Sequence, residues 1–452
     1  MKRVLMLAYY FPPLGMGGTQ RSAKFARYLP EFGWQATVLT VKPIAYWAED
    51  VSLLDDLAGV EIVRAGSFDP QRLLALARRK TTPGAPVNEP AQPAAASGGA
   101  SGAGGRARAV GGSGMLAWIN RRLLPWVLLP DSKILWSWHA RRAAAGLLRS
   151  GACSAIWSTS PPHSTHLIAR RLARRYRLPW IADFRDAWAD SVVVPQPTPW
   201  HRRRQAALLR RVAQDADLLI GVTPGIVAEL EAAGGAGKTR LMTNGFDAAD
   251  FPDSGPPYRA GDRLSPATAP PERRFVLCHC GAISRFSDPA PLLAALRPEE
   301  PSRLHLHFVG FDASGSFAER VRSLGLTERI SWSGYLPHRQ ALAAMAAADA
   351  LVLIACDDPR ARFIPGKSFE YLASRKPILL ISNVAETLAL LQGQPGVIAC
   401  APDQPEAIRA ALARLQQDPE LARAALQRDL RSFDRREQTA RLAALLDDLT
   451  QT

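Results

Sequence analysis

The sequence predicts an α/β protein of two units, each built on a parallel sheet. Two observations carry that prediction. Short apolar runs rich in Val, Ile and Leu alternate with amphipathic helical stretches in both halves of the chain. A length of 452 residues also exceeds what one core ordinarily holds, so two domains are expected. Hydrophobic residues at 47% and charged residues at 21% are those of a folded soluble chain.

The elements follow in order. MKRVLMLAYYFPP imitates a signal peptide, but its apolar stretch is short and runs into Pro12-Pro13 with no small-residue cleavage site. It is read as a first buried strand. In the first half the further strands are ATVLTV, EIVRAG, AIWSTS, WIADF, LLIGVT and TRLMTNG. In the second half they are FVLCHCG, HLHFVGF, ISWSGYL, ALVLIA, PILLIS and GVIACA. Between the halves lies DSGPPYRAGDRLSPATAPPERR, whose Pro, Gly and charge mark a linker. The expected domains are 1–252 and 273–430, with a linker at 253–272 and a closing helix at 431–452. Residues 81–114 are low-complexity Ala, Gly, Ser and Pro and are expected to form a disordered insertion. Directly after it, Trp118, Leu123, Leu124 and Trp126 interleave with Arg121 and Arg122. That pattern suits an interfacial anchor and a plain core helix equally. No run of eighteen apolar residues occurs, so no transmembrane helix is expected.

Charge and cysteine content narrow the classes. Lys plus Arg number 56 against 41 acids, a net charge of +15. From Arg106 to Asp215, nineteen basic residues stand against five acids, so nearly the whole excess lies there. An anionic partner would explain it, as would Arg-rich solvated helix faces. Five cysteines lack paired metal spacing, and Cys278-His279-Cys280 reads as alternation along a strand, which fits a reducing cytoplasm.

Open α/β sheets bind ligands beyond the carboxyl ends of their strands. The loops there are therefore the candidate sites. Gly15, Gly17 and Gly18 after the first strand let backbone approach a ligand, with Thr19 a candidate cap for the helix that follows. Neither the dinucleotide fingerprint nor a Walker A loop is present. His163 stands just beyond AIWSTS, with His166 one turn on, able to face the site or to pack. Asp183, Arg185 and Asp186 crowd the end of WIADFRDAW, either as a structural ion pair or at the cleft. Asn244 ends the last strand of the first half. Gly281 and Arg285 follow FVLCHCG, where a guanidinium can hold phosphate. Pro365, Gly366 and Lys367 form a turn that offers N–H groups and a point charge, and Glu370 can accept from two adjacent sugar hydroxyls.

In this order, YYFPPLGMGGTQR, TSPPHSTHLIA, WIADFRDAW, TNGFD, CGAISRF, GYLPHRQAL and PGKSFEYLASRKPIL resemble the family 4 glycosyltransferases with the GT-B fold. The resemblance covers nearly the whole chain. It implies two Rossmann-like domains facing each other across a cleft and sugar transfer from a nucleotide donor without metal or other cofactor. The donor would lie mainly in the C-terminal half and the acceptor in the N-terminal half. On this footing His163, Asp183 and Asp186 are the catalytic candidates. Gly281, Arg285, Pro365, Gly366, Lys367 and Glu370 would bind the donor, with Glu370 on the ribose. Gly17, Gly18 and Arg21 would form an acceptor or phosphate loop, beside Arg185 and Asn244. Two departures stand out. Arg362 occupies the place of a first glutamate separated from Glu370 by seven residues, and no Lys follows Arg285 within a few residues, so Lys367 would take over that charge. Sequences with Pro-Gly-Lys before FEYLA resemble a branch acting on polysaccharides. The implied activity is retaining transfer to a lipid-linked saccharide, on an anionic membrane surface at the inner face of the cytoplasmic membrane and without nucleic acid. The alternatives are a sugar-nucleotide epimerase of the same fold and a non-catalytic nucleic-acid- or membrane-binding protein. The second is disfavoured by the absence of aromatic RNA-binding motifs.

Overall fold

All thirteen apolar runs form strands, and every pair in the two sheets is parallel. Their near-continuous hydrophobicity is what burial on both faces requires. The computed structural model describes residues 1–14, 17–42, 50–69, 124–189, 191, 196–251, 274–297, 303–356 and 358–451. These divide into two units, Met1–Thr243 with Gln438–Thr452, and Asn244–Glu437.

The first unit holds β1 (Lys2–Leu7), β2 (Trp34–Val41), β3 (Glu61–Ala65), β4 (Ala155–Ser160), β5 (Trp180–Phe184), β6 (Leu218–Gly221) and β7 (Thr239–Leu241). Their order is β3-β2-β1-β4-β5-β6-β7. Its helices are α1 (Gly17–Tyr28), α2 (Leu124–Val127), α3 (Ser137–Arg149), α4 (Ser164–Tyr176), α5 (Pro199–Asp215) and α6 (Pro224–Leu230). The strand period of two splits the core. Val4, Met6 and Ala8 pack with Phe25 of α1, while Leu5, Leu7 and Tyr9 pack with Ala140 of α3, Ile168 of α4 and Leu209 of α5.

The second unit holds β8 (Phe275–Cys280), β9 (Leu304–Val309), β10 (Ile330–Trp332), β11 (Ala350–Ala355), β12 (Ile378–Ser382) and β13 (Val397–Cys400), in the order β10-β9-β8-β11-β12-β13. Around this sheet lie α7 (Ala290–Ala294), α8 (Phe317–Ser323), α9 (His338–Ala347), α10 (Lys367–Ala373), α11 (Ala385–Leu391), α12 (Pro405–Gln417) and α13 (Glu420–Leu426). Cys278 and Cys280 point to one core and Leu277 to the other, so the Cys-His-Cys run is strand alternation.

The last helix, α14 (Arg435–Gln451), returns to the first unit. Leu442, Ala443 and Leu446 fill its core beside Phe25 and Trp34. Asp447 accepts from Lys2 Nζ at 2.8 Å and from Trp34 Nε1 at 3.2 Å. The boundary expected at 252 falls instead between Thr243 and Asn244. Backbone bonds explain the shift: Phe246 N donates to Phe433 O at 3.1 Å and Arg435 N to Phe246 O at 2.8 Å, tying residue 246 to the second unit. The expected linker at 253–272, the insertion at 81–114 and the Trp-Arg stretch up to Leu123 lie outside the described residues. Among the described residues no helix is long and apolar enough to cross a membrane.

Beneath α1 lies a buried ion pair. Arg21 Nη2 meets Asp183 Oδ1 at 2.7 Å, its Nε bonds both carboxylate oxygens at 3.1 Å, and its Nη1 donates to Thr243 O at 2.6 Å. Thr159 Oγ1 adds a donor to Asp183 at 2.8 Å. Arg21 and Asp183 are 1% and 0% exposed. This corrects two expectations: Asp183 is enclosed and cannot touch a substrate, and Arg21 points inward rather than into a ligand loop. Both act by positioning α1 against β4 and β5. Asp183→Asn leaves the Arg21 charge buried and unpaired, so it is expected to lower stability by about 3–5 kcal/mol. Urea unfolding checks this, and the double change Arg21→Met with Asp183→Leu is expected to recover most of the loss.

Candidate functional site

Each unit gathers polar groups at the carboxyl ends of its strands. In the first, β4 ends at Ser160 and His163 stands at the start of α4. Its ring stacks on Trp188 with centroids 4.6 Å apart and planes 5° from parallel. Trp188 is itself pinned: its indole donates to Gln205 Oε1 at 2.7 Å, and its backbone N–H to Glu229 Oε2 at 3.3 Å. Burial pushes His163 down to about 3, so the imidazole is neutral near pH 7. Around it Ser160 Oγ, His163 Nδ1 and Thr165 Oγ1 are buried without a hydrogen-bond partner among the described residues. Buried polar atoms ordinarily find partners, so this cluster suits a ligand rich in hydroxyls. An anion would not suit it, because Asp131 already accepts from Ser164 N at 2.9 Å and occupies the helix start.

His166 is packed, with Nδ1 2.8 Å from Ser158 Oγ and its ring 4.3 Å from that of Phe184. Arg185 fastens the loops together, donating to Ser160 O at 3.0 Å, to Pro161 O at 3.2 Å and to Gly18 O. It thereby holds the Gly17-Gly18 start of α1 beside the His163 loop. Thr19 was expected to cap α1. The helix instead opens two residues earlier at Gly17, and the Thr19 hydroxyl donates back to Leu14 O at 3.1 Å. Asp186 lies exposed next to Arg185. Asn244 begins the second unit.

In the second unit Gly281 closes β8 at φ 151°, a conformation L side chains rarely adopt. A Cβ there would strike Lys367 Nζ. Gly310 after β9, at φ 140°, has the same role one strand over, since its Cβ would strike the Gly281 carbonyl. The two glycines let the strand ends pack and leave room for the Lys367 side chain. His279 fixes that side chain. Its Nδ1 lies 3.0 Å from the Val352 carbonyl, which can only accept, so Nδ1 carries the proton and Nε2 accepts from Lys367 Nζ at 3.2 Å. Burial, then the neighbouring Lys367, holds His279 well below the usual histidine range. Burial also pushes the Lys367 amine down to about 8.

Glu370 is one turn further along α10, and its Oε1 lies 2.9 Å from Nε2 of His338, the first residue of α9. Oε2 makes no hydrogen bond among the described residues. Pro365 O accepts from Ser368 N at 2.9 Å, closing the turn. Gly366 is right-handed, at φ −57°, so its contribution is open space: nothing lies within 4 Å of where a Cβ would stand. Arg285 is exposed over the Phe286 ring, its Cζ 4.4 Å from the centroid, at the rim of a cavity of about 220 Å³ shared with Ser314 and Arg320. Lys367 thus lies against Gly281, with Glu370 three residues further along α10. Trp188, His279 and His338 were missed. Only their places in DFRDAW, CHCG and YLPHRQ could have signalled them. Among the described residues no group of three or more His, Cys, Asp or Glu could hold a metal ion.

Residues 16–245 match the family model described as a glycosyl transferase 4-like domain, and residues 274–418 match that of the group 1 glycosyl transferases. No curated protein matches the chain. The fold is similar to Anabaena HepE in complex with UDP and glucose, with a TM-score of 0.62 and 15% identity over 99% of this chain and 100% of that one. It is similar to sucrose-phosphate synthase from Thermosynechococcus elongatus, with 0.62 and 14% over 100% and 97%. The lipopolysaccharide outer core galactosyltransferase WaaB, in its apo form, is similar with 0.55 and 12% over 98% and 99%. At such identities these structures show the fold alone, two parallel-sheet domains of GT-B type.

A group whose pKa burial depresses stays neutral until the pH falls to its lowered value. The His163 ring is therefore expected to show no titration between pH 5 and 8 by NMR, with His163→Asn identifying its signal. A midpoint inside that range would contradict the enclosed, stacked geometry.

Proposed function

We propose, on the premise that the chain belongs to the family 4 glycosyltransferases of GT-B fold, that its donor is a nucleoside-diphosphate sugar and its acceptor a lipid-linked saccharide of cell-surface polysaccharide synthesis. One observation carries the donor assignment: a lysine held over a glycine strand end, with a carboxylate three residues, about 4.5 Å of rise, further along α10. Lys367 and Arg285 meet the diphosphate, and Glu370 accepts from the ribose hydroxyls through the oxygen His338 leaves uncovered. HepE with UDP and glucose supports a nucleotide-sugar donor, and WaaB supports an acceptor of the lipopolysaccharide kind.

The acceptor saccharide lies at the first unit, where Ser160 and Thr165 match its hydroxyls and neutral His163 both donates and accepts. The donor's bond between anomeric carbon and phosphate oxygen breaks as the acceptor oxygen attacks from the same face. The acceptor's proton passes to the departing diphosphate, so configuration is retained without a protein nucleophile. Lys367 and Arg285 stabilise the charge that develops on that diphosphate, and no metal is assigned a part. Arg362, where an acid would stand near the donor sugar, adds no nucleophile. The enzyme works peripherally at the inner face of the cytoplasmic membrane, where such acceptors reside.

Lys367→Met and Glu370→Gln are each expected to cost about 1.5–3 kcal/mol, roughly ten- to hundred-fold in use of the donor, with folding unchanged. Initial rates at varied donor concentration, across a panel of nucleotide sugars, check both; normal kinetics in either variant would remove that residue from the site. The Lys367 pKa also sets a pH dependence. Its cation is present below about pH 8 and is lost above it. Nucleoside-diphosphate affinity is therefore expected to fall as pH rises through that value in the wild type and to stay level in Lys367→Arg, by titration calorimetry.

A further inference from the structure

Two helices of the first unit begin with the same motif. Trp138-His139-Ala140-Arg141-Arg142 opens α3, and Trp200-His201-Arg202-Arg203-Arg204 opens α5. In each the Trp is exposed, 55% and 56%, and the Arg four residues on lies over it, at 6.0 Å for Arg142 and 5.8 Å for Arg204. Exposed neighbours extend both clusters. Phe68, 52% exposed, lies 4.6 Å from the His139 ring; Trp126, also 52% exposed, lies 5.4 Å from that of His201, beside Val127 at 72%.

The fold sets these clusters on one edge. Helices α3 and α5 lead back into β4 and β6, so their first turns stand at the carboxyl ends of the strands. Both pack against α4 on the same face of the sheet. At 8–10 Å between neighbouring axes, the two Trp-His starts are roughly 20 Å apart, with His163 at the start of α4 between them. The chain from Trp126 to Trp138 runs along this edge, with Pro130 O accepting from Gln205 of α5 at 2.8 Å and Asp131 capping α4.

The charge on this edge is unusual for helix starts. Neither α3 nor α5 has an acid in its first turn. Arg141, Arg142, Arg202, Arg203 and Arg204 are all exposed, and none makes an ion pair among the described residues. Cations at the positive end of a helix dipole are unfavourable unless an external anion faces them. The chain's own residues 70–123 do not supply one, since they carry eight basic residues and one acid.

We propose that this edge is a lipid-docking surface: Trp126, Trp138 and Trp200 enter the headgroup–acyl boundary of an anionic membrane while the arginines of the two motifs lie on its headgroups. Trp with Arg is the composition of such interfaces, where an amphipathic ring lies at headgroup depth and the cation meets anionic lipid. The stretch Trp118–Trp126, which suits an interfacial anchor and a core helix equally by sequence, shares only Trp126 with this surface. Docking in this way turns the His163 end of the first unit toward the bilayer. The inference deepens the proposal of a lipid-linked acceptor and rests on it for purpose, but its test reads binding without turnover.

Flotation of the full chain with phosphatidylglycerol–phosphatidylcholine vesicles, against phosphatidylcholine alone, decides the matter. Binding to the anionic vesicles is expected, reduced by salt. Trp138→Ser with Trp200→Ser is expected to weaken it roughly ten-fold, and so is Arg142→Gln with Arg204→Gln, with melting temperature and donor hydrolysis unchanged. Wild-type protein that floats with neither vesicle overturns the inference, as do double variants that bind like wild type. Binding that these variants keep but deletion of residues 82–112 abolishes would assign the lipid to that segment instead. Equal loss of oligonucleotide binding with unaltered vesicle binding would assign the edge to nucleic acid.

Discussion

A parallel sheet imposes one constraint from which most of this structure follows: each strand must be reached by a helix running back across the sheet. Strand ends and helix starts therefore gather along one edge of each unit. Carbonyl oxygens finish there and unpaired N–H groups begin there, so side chains at that edge meet an uneven electrostatic field. In the first unit Asp131 fills one such helix start, and the arginines of α3 and α5 crowd two others. In the second unit the edge is shaped by glycines. Gly281 and Gly310 let consecutive strand ends touch, and the Lys367 side chain lies across them.

The two edges solve opposite problems with buried charge. Lys367 is a cation kept short of full solvation by a neutral histidine, and it meets no carboxylate among the described residues. His163 is a neutral ring held flat on an indole, with the Ser160 and Thr165 hydroxyls beside it lacking partners among the described residues. The first arrangement favours a polyphosphate and the second favours hydroxyls. Arg21 and Asp183 show the remaining possibility, a pair that satisfies itself and leaves nothing for a ligand.

The strands were legible because burial on both sides leaves little room for polar residues, and each run therefore stands out as VLML or LVLI. Loop glycines and the Pro-Gly-Lys turn were legible for a related reason, since they interrupt those runs at strand ends. Partnerships were not. Nothing near Asp183 names Arg21, 162 positions away, because sheet order and not chain order sets which ends are adjacent. His279 of β8 meets Lys367 of α10 in the same way, across 88 positions. Tryptophan was equally ambiguous. Trp136, Trp157, Trp180 and Trp188 are core residues while Trp126, Trp138 and Trp200 are surface residues, and helical period alone does not separate Trp136 from Trp138. The domain boundary moved for a backbone reason, the pairing of Phe246 with residues 433 to 435.

The return of α14 to the first unit has a consequence for synthesis. Domains made first usually fold first, as they leave the ribosome. Here Trp34 and Phe25 share a core with Leu442 and Leu446, so residues of the first strands await a helix made about four hundred positions later. Until translation reaches that helix, one face of the first sheet has an open apolar strip, while the intervening unit carries every strand its own sheet needs. The second unit can therefore complete itself earlier than the first. Nascent chains stalled before residue 435 would present the kind of surface that chaperones recognise, on the unit whose strands are made before those of the second.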